Sequence, residues 1–238
     1  MLGSLFSGVG ADILVFDILW TVLSVALQAS LGISIALLLN RRGLRFAGFW
    51  RTIFILPWAI PEFIGALIWL RTLDPSSGWM GMMLPEGARA AYTAMSGTNS
   101  SLLVLLTAAT WYGFPFIMLA ASAGLKLIPP EVYDAAAVDG ADGWRLFREV
   151  TWPLLLPLAV PALIIRAIFA FNQFYLFYVM QTNFPLMTFA NLSYMFFTHG
   201  NRYAVSAAIN IFTVVVLVVL LLFFNRWSKA AEGVTYAS

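Results

Sequence analysis

The sequence contains no cysteine and a single histidine, His199. Without cysteine there can be no disulfide framework and no thiolate metal site, and one histidine cannot assemble a metal cluster, so no metal or catalytic group is expected. Charge is equally scarce. Asp, Glu, Lys and Arg make up 10% of the 238 residues, where a soluble domain carries about 25%. The net charge of +2 comes without the basic patch or stripe that a nucleic-acid partner requires. No Gly-Lys-Ser/Thr phosphate loop is present, so this chain does not hydrolyse nucleotide itself. No basic residue precedes Arg41, which argues against a conventional signal peptide. Internal repeats and low-complexity tracts are also missing.

What the chain does have is apolar length: 61% of its residues are hydrophobic and the mean hydropathy is +0.87. A surface of this kind cannot face water on all sides, and the lipid bilayer becomes the first partner. Spanning the hydrocarbon core takes about 20 apolar residues. Residues 18–39, 102–125 and 204–224 carry no charge, and 154–180 carries only Arg166. A fifth run, 53–70, contains Glu62, Pro57 and Pro61, and prolines are tolerated where neighbouring helices satisfy the freed backbone groups. These runs predict an all-α membrane protein, one polytopic bundle of about five transmembrane helices near 13–39, 53–70, 102–125, 154–180 and 204–224.

Basic residues set the orientation, because Lys and Arg concentrate on the cytoplasmic side. With five spans and the N-terminus outside, the inner segments hold nine: Arg41, Arg42, Arg45, Arg51, Lys126, Arg145, Arg148, Arg226 and Lys229. The outer segments hold three, Arg71, Arg89 and Arg202. Omitting the 53–70 span abolishes this bias, so the expectation is N-terminus outside and C-terminus cytoplasmic. Residues 184–197 are apolar but short, and are expected to be an interfacial or re-entrant piece on the outer side. The outer stretch 71–101 reads as a loop with one short helix.

The inner loop, 128–153, reads as two short helices separated by a bend. Pro129 and Pro130 suit a first helical turn, with Glu131 at its positive end. Asp139-Gly140 stops that helix, and Asp142 caps a second whose apolar stripe is Trp144, Phe147 and Val150. Pro153 opens the next span. Such a loop either packs against its own bundle or docks on another subunit.

Within this loop Asp134-Ala135-Ala136, three residues, Gly140, nine residues, Val150, one residue and Trp152-Pro153 resemble the signature loop of permease subunits from ATP-binding-cassette importers. That pattern is Glu-Ala-Ala, three residues, Gly, nine residues, Ile, one residue, Leu-Pro. Asp134, Val150 and Trp152 depart from it, and Trp152 changes the shape most. Residues 32–42 resemble the Gly-rich helix and basic turn of sugar-importer permeases, and 55–69 their proline-bearing helix. Phe171-Asn172-Gln173-Phe174 resembles the Phe-Asn-x-Phe segment of maltose-type subunits, and 203–209 the start of their last span. Where many such proteins have Gly-Gly-Pro, residues 182–185 read Thr-Asn-Phe-Pro. Many also carry an additional N-terminal span without a counterpart here, so either the five-helix core suffices or the true start lies upstream.

The resemblance implies the type I importer permease fold in a prokaryotic inner membrane, forming half a translocation pathway for a sugar or oligosaccharide. It implies a cytoplasmic ATPase dimer that uses ATP and Mg, a solute-binding protein at the outer face, and a second, different permease subunit. Asp134, Ala135, Ala136, Asp139, Gly140, Val150 and Pro153 are then the coupling residues. A polyol phosphate, an amino acid or a polyamine is the alternative solute. An ion-driven transporter would leave the loop unexplained, and an intramembrane enzyme lacks a set of catalytic groups.

At membrane depth Arg166 is costly, about 2.5–3.5 kcal/mol at the centre of a span, and should face the interior, water or an acidic partner. Glu62 is the candidate partner, and bracing is favoured over solute contact. Asn172, Gln173, Tyr175 and Tyr178 offer the amides and rings that suit a sugar; the alternative is interhelical bonding and the aromatic belt. Trp111 and Tyr112 read as belt or packing residues, and His199 as a solvated loop residue.

Overall fold

A computed structural model describes residues 9–41, 43–73, 78–88, 98–180 and 187–235. Among them every regular element is helical, as hydrocarbon demands: only a helix satisfies its own backbone when no water is at hand. The first helix, α1 (Val9–Leu39), lies along α5 (Thr98–Leu127) in the most extensive helix contact of the bundle. Small residues permit this closeness. A Cβ on Gly32 would meet Phe114 O at 2.7 Å and Met118 N at 3.0 Å. Ile33, Ala36, Leu39, Ile117, Met118 and Ala121 fill the seam, and Leu155 of α8 (Trp152–Phe171) closes it. A second cluster joins Trp20, Ala66, Leu105, Ala109, Phe177 and Met180. A third joins Ile13, Phe189 and Ile209.

Among the described residues four stretches are long and apolar enough to cross a membrane: Gly10–Leu39, Leu102–Leu127, Gly143–Met180 and Tyr203–Leu222. The expected 53–70 helix is instead a pair, α2 (Ala47–Ala59) and α3 (Glu62–Thr72), bent by 93°. The cause is Pro61, which pushes the preceding residue out of the helical region; Ile60 sits at φ −82°, ψ 132°. Only together do the two halves qualify as a fifth span.

The 154–180 run is also interrupted. A π-helical turn at Phe147–Thr151 leads into α8, which stops at Phe171, and α9 (Tyr175–Met180) follows the break. Asn172 ends α8 by donating Nδ2 to Ile168 O at 3.1 Å, the local competition that makes asparagine a poor interior residue. After α9, residues 181–186 lie outside the described residues, and with them the Thr182 to Pro185 departure. The apolar 184–197 piece overlaps α10 (Phe189–Thr198), which packs along α11 (Tyr203–Thr235). In the 71–101 stretch the structure describes a short helix, α4 (Trp79–Met83), and further helical residues at 86–88.

Gly32→Leu is expected to destabilise the α1–α5 seam by overpacking, about 1–3 kcal/mol, read as a lower thermal midpoint of the detergent-solubilised chain. Gly48→Leu, at a position with nothing within 4 Å, should leave that midpoint nearly unchanged.

Candidate functional site

The inner loop folds from its own sequence. Helix α6 (Pro130–Val138) begins on Pro130 with Glu131 in its first turn, and Asp139 is its C-cap. Gly140 takes φ +76°. Its N–H donates to Ala137 O at 3.1 Å, and the Ala141 N–H donates to Ala136 O at 3.0 Å. These are the two bonds of a Schellman ending, whose left-handed residue is glycine for lack of a Cβ. Asp142 Oδ1 accepts the Arg145 N–H at 2.8 Å and caps α7 (Gly143–Leu146). Arg145 Nε donates to Glu149 Oε2 at 3.0 Å. Trp144, Phe147 and Trp152 follow one another with ring centroids 5.7 and 6.0 Å apart.

No residue of α6 is buried. Asp134, Ala135, Asp139 and Gly140 are exposed, Ala136 is half-buried, and Val138 is 88% exposed. Val150 is half-buried in the π-helical turn, and Pro153 is exposed in the first turn of α8. The helix therefore contributes nothing to the core of its own bundle.

A second constellation lies at membrane depth. Arg166 is buried on α8, and its Nε donates to Gln28 Oε1 of α1 at 2.9 Å. Gln28 Nε2 donates in turn to Ala109 O of α5 at 3.0 Å. Gly113 leaves the room: a Cβ there would stand 2.2 Å from Gln28 Oε1 and 2.6 Å from Arg166 Nη2. Glu62, at the start of α3, accepts from Gln173 Nε2. Glu62, Tyr112, Arg166 and Gln173 share one cleft of about 10 Å³, room for one water. The expected Glu62–Arg166 partnership takes an indirect form: the two face the same cleft and attract each other electrostatically, while among the described residues no direct ion pair joins them. Gln28 provides the hydrogen-bonded neutral partner.

The four outer candidates separate. Gln173 turns inward and is buried, whereas Asn172 is exposed and bonds its own helix end. Tyr175 and Tyr178 are 47% and 42% exposed. Phe174 stacks on Tyr178 at 5.2 Å, and Tyr194 of α10 meets both rings, at 5.1 and 5.2 Å. Trp111 packs edge-on against Trp69 at 5.8 Å, and His199 is exposed beside Thr198. Sequence reading missed Gln28, Gly113, Tyr194 and the buried Asp17. Gln28 had a usable signal as the only amide in the charge-free 18–39 run.

Comparison with known proteins decides the family. The profile of the family described as "Binding-protein-dependent transport system inner membrane component" matches residues 28–231. The chain belongs to this family. This inner membrane component is 31% identical over 229 residues to the galactooligosaccharides transport system permease protein GanP of Bacillus subtilis, covering 92% of this chain and 55% of that one. It is 34% identical over 196 residues to the trehalose/maltose transport system permease protein MalF of Thermococcus litoralis, covering 82% and 66%. It thus spans between about half and two thirds of the length of these relatives. A bacterial ABC transporter that imports the acidic polysaccharide alginate shares its fold with TM-score 0.77 at 22% identity, over 96% of this chain and 82% of that one. The MetNI methionine ABC transporter does so with TM-score 0.67 at 19% identity, over 93% and 95%. The fold is that of a type I importer permease.

For the buried bridge, Gln28→Leu leaves Arg166 without its neutral partner and should cost about 1.5–3 kcal/mol, measured by thermal unfolding in detergent. Adding Arg166→Leu should recover part of that loss, so that the double variant is more stable than the sum of the singles implies.

Proposed function

We propose that this inner membrane component is one of two permease subunits of an ATP-driven importer for a sugar or oligosaccharide. One observation carries the reading: α6 ends in a glycine cap at the family's spacing and buries none of its residues in its own bundle. A short helix with Val132 and Val138 exposed is suited to a cleft in another subunit. Asp134 and Asp139 present carboxylates to basic groups there, Ala135 and Ala136 permit close approach, and Gly140 supplies the bend. Val150 and Pro153 join this element to α8. Closure of a cytoplasmic ATPase dimer, which uses ATP and Mg, draws two such loops together and tips the bundle from inward-open to outward-open. Hydrolysis resides in that partner.

The nine-to-three distribution of basic residues supports an outside N-terminus and a cytoplasmic C-terminus. The cleft at Arg166 has room for one water and is too small for a sugar; in our reading the solute path lies at a face shared with a second permease subunit, a different chain. Tyr175 and Tyr178, exposed beside Phe174 and Tyr194, supply ring faces on which a sugar can stack, and Asn172 is accessible for a hydroxyl. Gln173, Glu62 and Arg166 brace the wall behind them. A solute-binding protein delivers the sugar at the outer face. Relatives that are permeases of galactooligosaccharide and trehalose/maltose transport systems support a sugar over an amino acid or polyamine.

Gly140→Pro tests the coupling reading, because proline is locked near φ −65° where the cap needs +76°. The native chain should co-purify with its ATPase in detergent, and the variant should lose the ATPase while eluting as a folded chain. In proteoliposomes, maltodextrin or galactooligosaccharide with the binding protein should stimulate ATP hydrolysis. Stimulation by amino acids or polyamines alone would replace the sugar assignment.

A further inference from the structure

Asp17 belongs neither to the inner loop nor to the cleft at Arg166. It lies in the first span, fully buried, and makes no ion pair among the described residues. Its Oδ2 accepts the Phe189 N–H at 3.0 Å, across 172 positions of sequence, while Oδ1 is buried without a hydrogen-bond partner. Phe189 is the first residue of α10, and its N–H is one of the donors that a helix start leaves free. A carboxylate is costly at this depth unless it serves such a donor.

Helix α10 is otherwise held chiefly on its α11 side. Ser193 Oγ lies 2.8 Å from Ser206 Oγ, and the Phe189 and Phe212 rings meet at 5.4 Å. On the α1 side the contact is small: Ile13 packs on Phe189, and Asp17 provides the polar tie. The same helix start reaches the break after α8, where Thr188 Oγ1 lies 3.3 Å from Gln173 O. Tyr194, five residues beyond Phe189, closes the ring cluster with Phe174 and Tyr178.

We propose that Asp17 is a positioning residue: its carboxyl oxygen fixes the start of α10 and so holds Tyr194 against Phe174 and Tyr178, acting as a hydrogen-bond acceptor rather than as a charge. The consequence for solute affinity rests on the sugar-permease reading; the positioning of α10 does not.

Two variants separate acceptor from charge. Asp17→Asn keeps an acceptor oxygen without the charge, and Asp17→Ala removes both. In the complete reconstituted transporter, Asp17→Ala should raise the KM for sugar about tenfold with Vmax within about twofold, whereas Asp17→Asn stays within about twofold in both. Asn behaving like Ala would overturn the acceptor role, and a fall in Vmax at unchanged KM would overturn the positioning of the solute site. The chain has no cysteine, so Ser193→Cys provides a single thiol at a buried position that reports on α10 without transport. Its maleimide labelling in the solubilised complex should speed up about tenfold with Asp17→Ala and stay unchanged with Asp17→Asn. Labelling unchanged by Asp17→Ala would overturn the proposal even if sugar is transported. Labelling as expected without sugar transport would uphold the positioning and sink the sugar reading.

Discussion

A backbone break inside hydrocarbon has no water to satisfy it, so each freed N–H and C=O must find a partner within the protein. Much of the polar architecture of this bundle follows from that constraint. The chain interrupts its helices at Ile60-Pro61 and at Asn172–Phe174, and restarts at Phe189. Asn172 serves the Ile168 carbonyl, Thr188 lies against the Gln173 carbonyl, and Asp17 serves the Phe189 N–H. Side chains costly in lipid are thereby placed where the backbone needs them.

The same economy of space governs the long helices. Lipid offers no hydrophobic gain for bringing helices together, so close approach and internal hydrogen bonds do that work. Gly32 admits the backbone of α5, and Gly113 admits Gln28 and Arg166. Gly124 stands against Leu155 and Leu158 of α8. The Gln28 bridge joins three helices through Arg166 and Ala109.

The inner loop projects from this bundle, as the proposed coupling to a partner subunit requires. The inner loop is locally stable, with its Schellman ending and the Asp142 cap, yet none of α6 is buried. Its shape is set by its own caps, so little ordering entropy would oppose the docking proposed above. The Phe174, Tyr178 and Tyr194 cluster belongs to the helix break instead, and its third ring is carried by α10.

The sequence by itself determined the class, the approximate spans and the inner loop. Apolar length and scarce charge admit only a membrane bundle, and the loop was legible because its signals are local: Pro130, Glu131, Gly140 and Asp142 act on neighbours within one helical turn. The Pro61 break was half legible, since proline announces a restricted residue before it but not an angle of 93°. What only the tertiary structure decided was the partnership of residues far apart in the chain. Arg166 gave its hydrogen bond to Gln28 while facing Glu62 across a cleft, Gln173 turned inward while Asn172 turned out, and Asp17 reached Phe189. Hydropathy and spacing say how deep a polar residue sits along its own helix. Which helix faces it is set by packing of small residues and by the breaks, and no local pattern encodes that.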